Sequence, residues 1–267
     1  MKDEALSLLE NLQDPAQGLN ILREYLQAFV LRSLHENEAF LCLSFVGGTA
    51  LRFLYNLPRF SEDLNFSLEV KDNYFPVKWM EKVKRDLTYA GFDAILSWND
   101  RKTVHTGWIR IGEILKEAGL AALIQQKLSI KLEIDSCPPQ GASYRSQIVD
   151  HHMLVTLRHH DLPSLMAGKI HAMIIRPFDK GRDWYDFLWY RAKRPVIEPN
   201  LLLMQNALDQ TQGKGSFRAD QWKQILAEKV NKIDLEKLKN DVSPFLERPG
   251  DLELINADNF WSTLKDV

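Results

Sequence analysis

The segment Leu128-Ser-Ile-Lys-Leu-Glu-Ile-Asp135 alternates apolar and polar residues without a break. Such alternation suits a β-strand with one face in a core, because successive side chains leave a strand on opposite sides. Leu128, Ile130, Leu132 and Ile134 take the core side, and Ser129, Lys131, Glu133 and Asp135 take the other. A second segment, Asp63-Leu-Asn-Phe-Ser-Leu-Glu69, repeats the pattern, with Leu64, Phe66 and Leu68 inward and Asp63, Asn65, Ser67 and Glu69 outward. The chain is thereby restricted to a sheet with a polar working surface. If the two strands are neighbours, their outer carboxylates form a site for a divalent cation.

Helical patterns surround these strands. Leu6, Leu9 and Leu12, then Leu19, Leu22, Leu26, Phe29 and Val30, recur at three- and four-residue spacing, with Pro15 and Gly18 separating two pieces. A short strand from Phe40 to Val46 stops at Gly47-Gly48, where Thr49 is expected to cap a helix that runs to Tyr55 and ends before Pro58. Pro76 opens another helix, with Val77, Met80, Val83 and Leu87 on one face and Gly91 closing it. Strands follow near Phe92–Trp98 and Val104–Ile111, then a short helical piece near Glu113–Ala118. From Pro163 onward the pattern is mainly helical. The expectation is an α+β fold: a mixed sheet flanked by helices in residues 1–158, then a helical C-terminal domain in 159–267.

Composition removes several alternatives. Apolar residues at 45% and charged residues at 26% exclude a disordered chain. The longest apolar run, Ala39–Val46, is far short of the roughly 20 residues that cross a bilayer. The opening MKDEALSLLENLQD has no basic region followed by an apolar one, so no secretory signal is expected. Cys42 and Cys137 are the only cysteines, which argues against a disulfide framework or a zinc module and favours a reducing cytoplasm. A net charge of −2 argues against binding nucleic acid by bulk electrostatics. Residues 169–194 nevertheless gather Lys169, Arg176, Lys180, Arg182, Arg191, Lys193 and Arg194 against Asp179, Asp183 and Asp186. That local basic patch suits phosphate groups, and a solvated surface would look the same. His151-His152, His159-His160 and His171 lack a HExxH spacing, and neighbours on a strand point apart, so no transition-metal site is expected there.

The chemistry-bearing residues have an order. A glycine pair between a strand and a helix lets backbone N–H groups approach an anion, and the helix N-terminus favours negative charge. Gly47, Gly48 and Thr49 are placed to hold phosphate; Asp63, Asn65 and Asp135 or Glu133 are placed to supply oxygen ligands to Mg²⁺. Glu62 is excluded, since it points to the opposite face from Asp63. Lys169 and Arg176, seven residues apart, share a helix face. Asp183 and Asp186 lie in the next helix and would face a cation such as Arg182, while Trp184, Phe187, Leu188 and Trp189 pack that helix.

The stretch GGTALRFLYNLPRFSEDLNFSLE (residues 47–69) resembles the first motif of the AbiEii/AbiGii toxin family, within the polymerase-β-like nucleotidyltransferase superfamily. The matching positions are Gly47, Gly48, Thr49, Arg52, Arg59, Phe60, Ser61, Glu62, Asp63 and Phe66. A second block, LMAGKIHAMIIRPFDKGRDWYDFLWY (residues 165–190), is similar at Lys169, Ala172, Arg176, Arg182, Asp183, Tyr185 and Asp186, and IKLEID (residues 130–135) sits where the third acidic strand belongs. The resemblance implies a nucleotidyltransferase-type sheet and a toxin of a toxin–antitoxin or abortive-infection locus. It also implies transfer of a nucleotide from an NTP to an acceptor hydroxyl, with the tRNA 3′ end as acceptor and a cognate antitoxin as partner. The implied catalytic set is Asp63, Glu133, Asp135, Lys169 and Asp186; Lys169, Arg176, Arg182 and Asp183 join the glycine turn in binding nucleotide.

At one position the chain departs from the family pattern: Asn65 stands where a second aspartate is usual. An amide oxygen ligates Mg²⁺ but brings no charge, whereas a two-metal site relies on carboxylates. Two other readings follow, a nucleotidyltransferase acting on a small molecule or protein, and a nucleotide-binding protein of weakened catalysis.

Overall fold

The structure, a computed structural model, describes residues 1–265 except Asn11, Gln13 and Ile124. A short helix α1 (Lys2–Ser7) precedes the 22-residue α2 (Pro15–Glu36), whose first turn is closed by Asp14 accepting the Ala16 N–H, with Pro15 at the first helical position. Gly18 lies within α2 and breaks nothing, so the separation falls before Pro15 alone. Then come β1 (Leu43–Val46), α3 (Gly47–Tyr55), β2 (Asp63–Leu68), α4 (Pro76–Tyr89), β3 (Asp93–Asn99), β4 (Val104–Gly112), the single turn α5 (Ile114–Glu117) and β5 (Leu128–Asp135). Two further strands, β6 (Tyr144–His151) and β7 (Met153–His160), complete the sheet. The remaining helices are α6 (Leu162–Ile175), α7 (Gly181–Ala192), α8 (Leu201–Gln212), α9 (Trp222–Val230), α10 (Leu235–Val242) and α11 (Ala257–Leu264).

The seven strands run in the order β3-β4-β5-β2-β1-β7-β6. β2 is parallel to β5 and antiparallel to β1, β1 is parallel to β7, and β4 is antiparallel to both β3 and β5. The mixed sheet and flanking helices are those the alternation required. Leu64, Phe66, Ile130, Leu132 and Ile134 are buried, and Phe66 meets Phe45 with ring centroids 5.4 Å apart. Burying such side chains contributes about 1.5–3 kcal/mol each, which pins the register of the central strands.

The chain forms two compact units. The first comprises Met1–Asn56, Phe60–Pro138 and Ser146–His159; the second comprises Leu57–Arg59, Pro139–Arg145 and His160–Val267. Several local expectations change. Residues 40–42 belong to a 3-10 turn, Ala39–Leu41, and its exit, so β1 is shorter than the apolar run. On α4 the buried residues are Trp79, Met80, Val83 and Leu87, whereas Val77 is 52% exposed, because Val77 lies in the first turn and off the stripe. β6 and β7 carried no clean signal: β6 is an edge strand with mostly exposed side chains, and on β7 the outward Leu154 interrupts the pattern set by Met153, Val155 and Leu157. No helix among the described residues is long and apolar enough to cross a membrane.

Candidate nucleotide and metal site

The glycine turn is built by close approach. Gly47 has φ +82°, and a Cβ there would meet the Asn65 side chain at 3.1–3.3 Å, so a side chain at this position is both strained and crowded. Val46 is the Cα partner of Asn65 across β1 and β2, which brings the start of α3 directly onto the outer face of β2. No side chain caps the first turn of α3. Thr49 corrects an expectation: it lies inside α3, fully buried, and its hydroxyl donates to the Asp63 carbonyl. It fixes α3 to the first residue of β2 and offers no hydroxyl to a phosphate. The loop ahead of Asp63 is held from the other side, where the buried Gln27 amide donates to the carbonyls of Ser61 (3.0 Å) and Glu62 (2.9 Å). Glu62 itself turns to Arg23, at 3.8 Å.

Register decides which carboxylates meet. In the parallel pair, Asp63 is opposite Lys131, Asn65 opposite Glu133 and Ser67 opposite Asp135. Residues paired across neighbouring strands share a face, so Asp63, Asn65 and Glu133 form one cluster beside Gly47. Asp135 does not join it. It lies four residues beyond Lys131, about 13 Å along the strand, at the opposite end of the sheet from Asp63. The expected grouping of Asp135 with Asp63 and Asn65 is therefore not formed, and the carboxylate that the register brings beside Asp63 and Asn65 is Glu133. Asp135 instead accepts the Cys137 N–H at 3.0 Å and closes the turn after β5. Burial pushes its carboxyl above the ordinary value and nearby Glu69 adds to this, against the Cys137 hydrogen bond. Glu133 pairs with Lys131 at 2.6 Å, whose ammonium lies 5.8 Å over the Trp108 ring.

The second unit holds a buried ion network. Arg59 donates two 2.6 Å hydrogen bonds to the two oxygens of Asp186, with Arg59 2% exposed and Asp186 fully buried. Lys169 lies 2.9 Å from Asp183 and 2.8 Å from Asp186, and Arg176 also donates to Asp183. Burial opposes the charges on Lys169 and Arg59. Asp183 and Asp186 overcome it for Lys169, Asp186 and Asp183 for Arg59, and both cations are held above their ordinary values. Burial likewise works against Asp183, yet Lys169 and Arg176 keep it below the ordinary aspartate value. Arg182 takes a different place from the one expected: its guanidinium lies 4.1 Å over the Phe245 ring, and its N–H donates to Asp241. Trp184 and Phe187 are buried in the packing of α7, as their spacing required.

Residues 29–264 match the family described as nucleotidyl transferase AbiEii toxin, type IV toxin–antitoxin system. The chain belongs to the AbiEii toxin family. Among solved structures, it is similar to a candidate nucleotidyltransferase from H. pylori at 20% identity, with a TM-score of 0.56 covering 95% of this chain and 94% of that one. It is also similar to JHP933 from Helicobacter pylori, at 20% identity and a TM-score of 0.51, covering 92% and 90%. At this identity the likeness concerns the fold. A comparison with curated proteins finds no match.

Family membership makes this AbiEii protein a nucleotidyltransferase, and such enzymes usually work with a divalent metal. The donors beside Gly47 fit that requirement: two carboxylates and an amide, all hard oxygen ligands, from neighbouring strands. Asp63, Asn65 and Glu133 would hold the ion. The residue that sequence reasoning left without a role is Arg59. Its position within the Arg-Phe-Ser-Glu-Asp run was the available signal, but only tertiary packing supplies its partner 127 positions away. The cysteines separate cleanly by environment. Cys137 is exposed, whereas Cys42 is buried with its thiol pushed up to about 11. Titration with an aromatic disulfide at neutral pH should modify one thiol rapidly, and the Cys137→Ser variant should react only after unfolding.

Proposed function

We propose that this AbiEii toxin transfers a nucleotide from an NTP to an acceptor hydroxyl, which attacks the α-phosphate and displaces pyrophosphate, and that the acceptor is the 3′ end of tRNA. The observation that carries the reading is the packing of Gly47 onto Asn65, between the register positions of Asp63 and Glu133. It sets an uncapped helix start, suited to phosphate oxygens, against a hard-oxygen donor set suited to Mg²⁺. Gly47 and Gly48 offer backbone N–H groups to the triphosphate. Asp63 and Glu133 supply negative charge to the cation, and Asn65 supplies a neutral oxygen. Held there, Mg²⁺ would supply positive charge that offsets the charge of the phosphates. The protein's remaining contribution is positioning, since phosphate-transfer catalysis consists mostly of geometry and charge neutralisation. In the second unit, Lys169 is compensated by two carboxylates, so of Lys169 and Arg176 the more exposed cation is Arg176, 35% exposed against 11%. A cognate antitoxin and a cytoplasmic setting accompany the reading, as type IV systems imply.

The test is label transfer. The purified protein is incubated with each labelled NTP, Mg²⁺ and total RNA, and the products are resolved by size. Label in the tRNA band supports the reading, and affinity for tRNA should fall steeply with salt because phosphate contacts release counterions. Label in a small molecule or a protein would move the acceptor to those classes. Absence of transfer by both the native chain and the Asn65→Asp variant would leave a nucleotide-binding protein.

A further inference from the structure

Away from the glycine turn, the first unit carries a second group of ligating side chains. Glu24, on α2, is 5% exposed. Its Oε2 accepts a 2.6 Å hydrogen bond from Arg52 Nε, and its Oε1 lies 3.0 Å from His151 Nε2 and 3.3 Å from His152 Nε2. The three ligand atoms all lie within 4.8 Å of one another. Adjacent histidines on a regular strand point apart, but these two do not share one. His152 is the single residue between β6 and β7, with φ +60°, and this left-handed turn breaks the alternation and brings both imidazoles to one carboxylate oxygen. The rings are set edge-to-face at 5.0 Å, His151 lies 4.5 Å from the Phe53 ring, and His152 packs edge-on to Tyr25 at 5.7 Å.

We propose that Glu24, His151 and His152 form a three-ligand site for a zinc-type transition-metal ion. Zinc–ligand bonds of about 2.0–2.1 Å place neighbouring donors of a tetrahedron roughly 3.3 Å apart. The 3.0 and 3.3 Å separations already approximate that edge. His151 Nε2 is buried without a hydrogen bond although it faces a carboxylate oxygen, and an ion shared by the three atoms would satisfy it. Two imidazoles and one carboxylate select a borderline ion over Mg²⁺. Arg52 acts as the outer partner that orients the carboxylate: its Nε donates to Oε2 at 2.6 Å and its Nη2 more distantly to Oε1, at 3.4 Å, so the ion would share Oε1 with that longer contact. The ion would clasp α2 to the β6–β7 turn, and Arg52 would extend that clasp to α3.

The full chain, stripped with a chelator, is titrated with Co²⁺ and then Zn²⁺. One Co²⁺ per chain with the visible absorption of a four-coordinate ion, displaced by one equivalent of Zn²⁺, is expected. The His152→Gly variant removes a ligand at a backbone conformation that glycine prefers, so its melting temperature without metal should stay near that of the native chain. Its affinity should fall at least about a hundredfold and the bands should vanish. Asp63→Ala should keep the bands, which separates this site from the nucleotide face. No bands in the native chain, bands retained in His152→Gly, or bands lost in Asp63→Ala would each overturn the proposal.

Discussion

Asp63→Ala is expected to lower nucleotide transfer by about a thousandfold. The size follows from what the residue does: it supplies one of two carboxylates on a cluster whose third member is neutral, so its loss halves the negative charge available to the cation. Removing one preorganised electrostatic group typically costs about a hundred- to a thousandfold, and a metal ligand sits at the upper end. Asn65→Asp should act in the opposite sense, tightening the response to Mg²⁺. The new carboxylate also lies against the start of α3, where a negative charge is stabilised. Asp135→Asn serves as the discriminating control. Its position beside Ser67 predicts near-native transfer, measured as labelled product against Mg²⁺ concentration. A loss in Asp135→Asn equal to that in Asp63→Ala would show that the register argument assigns the wrong carboxylate.

The second large effect concerns stability. Arg59→Ala leaves Asp186 fully buried without its two-pronged partner, and removing one member of a buried ion pair costs about 3–5 kcal/mol. For a domain of this size that corresponds to a fall in melting temperature of roughly 10 °C. Lys169 still touches Asp186, so Arg59→Ala alone should cost less than Arg59→Ala combined with Lys169→Met, which strips Asp186 of both cations; thermal unfolding of the two variants measures this. The network also sets an acid limit. Asp183 is held below its ordinary value in the folded chain, so its ionised form contributes stability above an unfolded value near 3.8, and that contribution is lost as pH falls below it. Glu24 has the same sign, starting from about 4.5. Melting temperature should therefore decline through the range below pH 5, and Asp183→Asn should flatten part of the decline.

Much of the polar face of the two central strands was legible in the chain itself. The alternation at Asp63–Leu68 and Leu128–Asp135 specified both strands and which side chains face outward, because a period of two leaves a half-buried segment only one orientation. The glycine pair marked the turn. Which carboxylate joins Asp63 was not legible, since alternation gives the face of a strand but not its offset from a neighbour. Parallel pairing of β2 with β5 selected Glu133 and sent Asp135 to the far end. The hydroxyl of Thr49 was misplaced for a similar reason. A threonine after a glycine pair reads as a cap, yet helix α3 begins two residues earlier and buries it.

Sequence by itself thus determined the two central strands with their outward polar face and the family, each carried by short-range periodicity or by a motif of neighbouring residues. Tertiary structure alone decided the partners: Arg59 with Asp186, Lys169 between two aspartates, and Glu24 with a histidine pair brought round by one left-handed residue. The physical reason is separation along the chain. Contacts between residues on different elements, 14 positions apart for Lys169 and Asp183 and 127 for Arg59 and Asp186, are fixed by how packed elements come to rest against each other, and no local pattern of side chains encodes that offset.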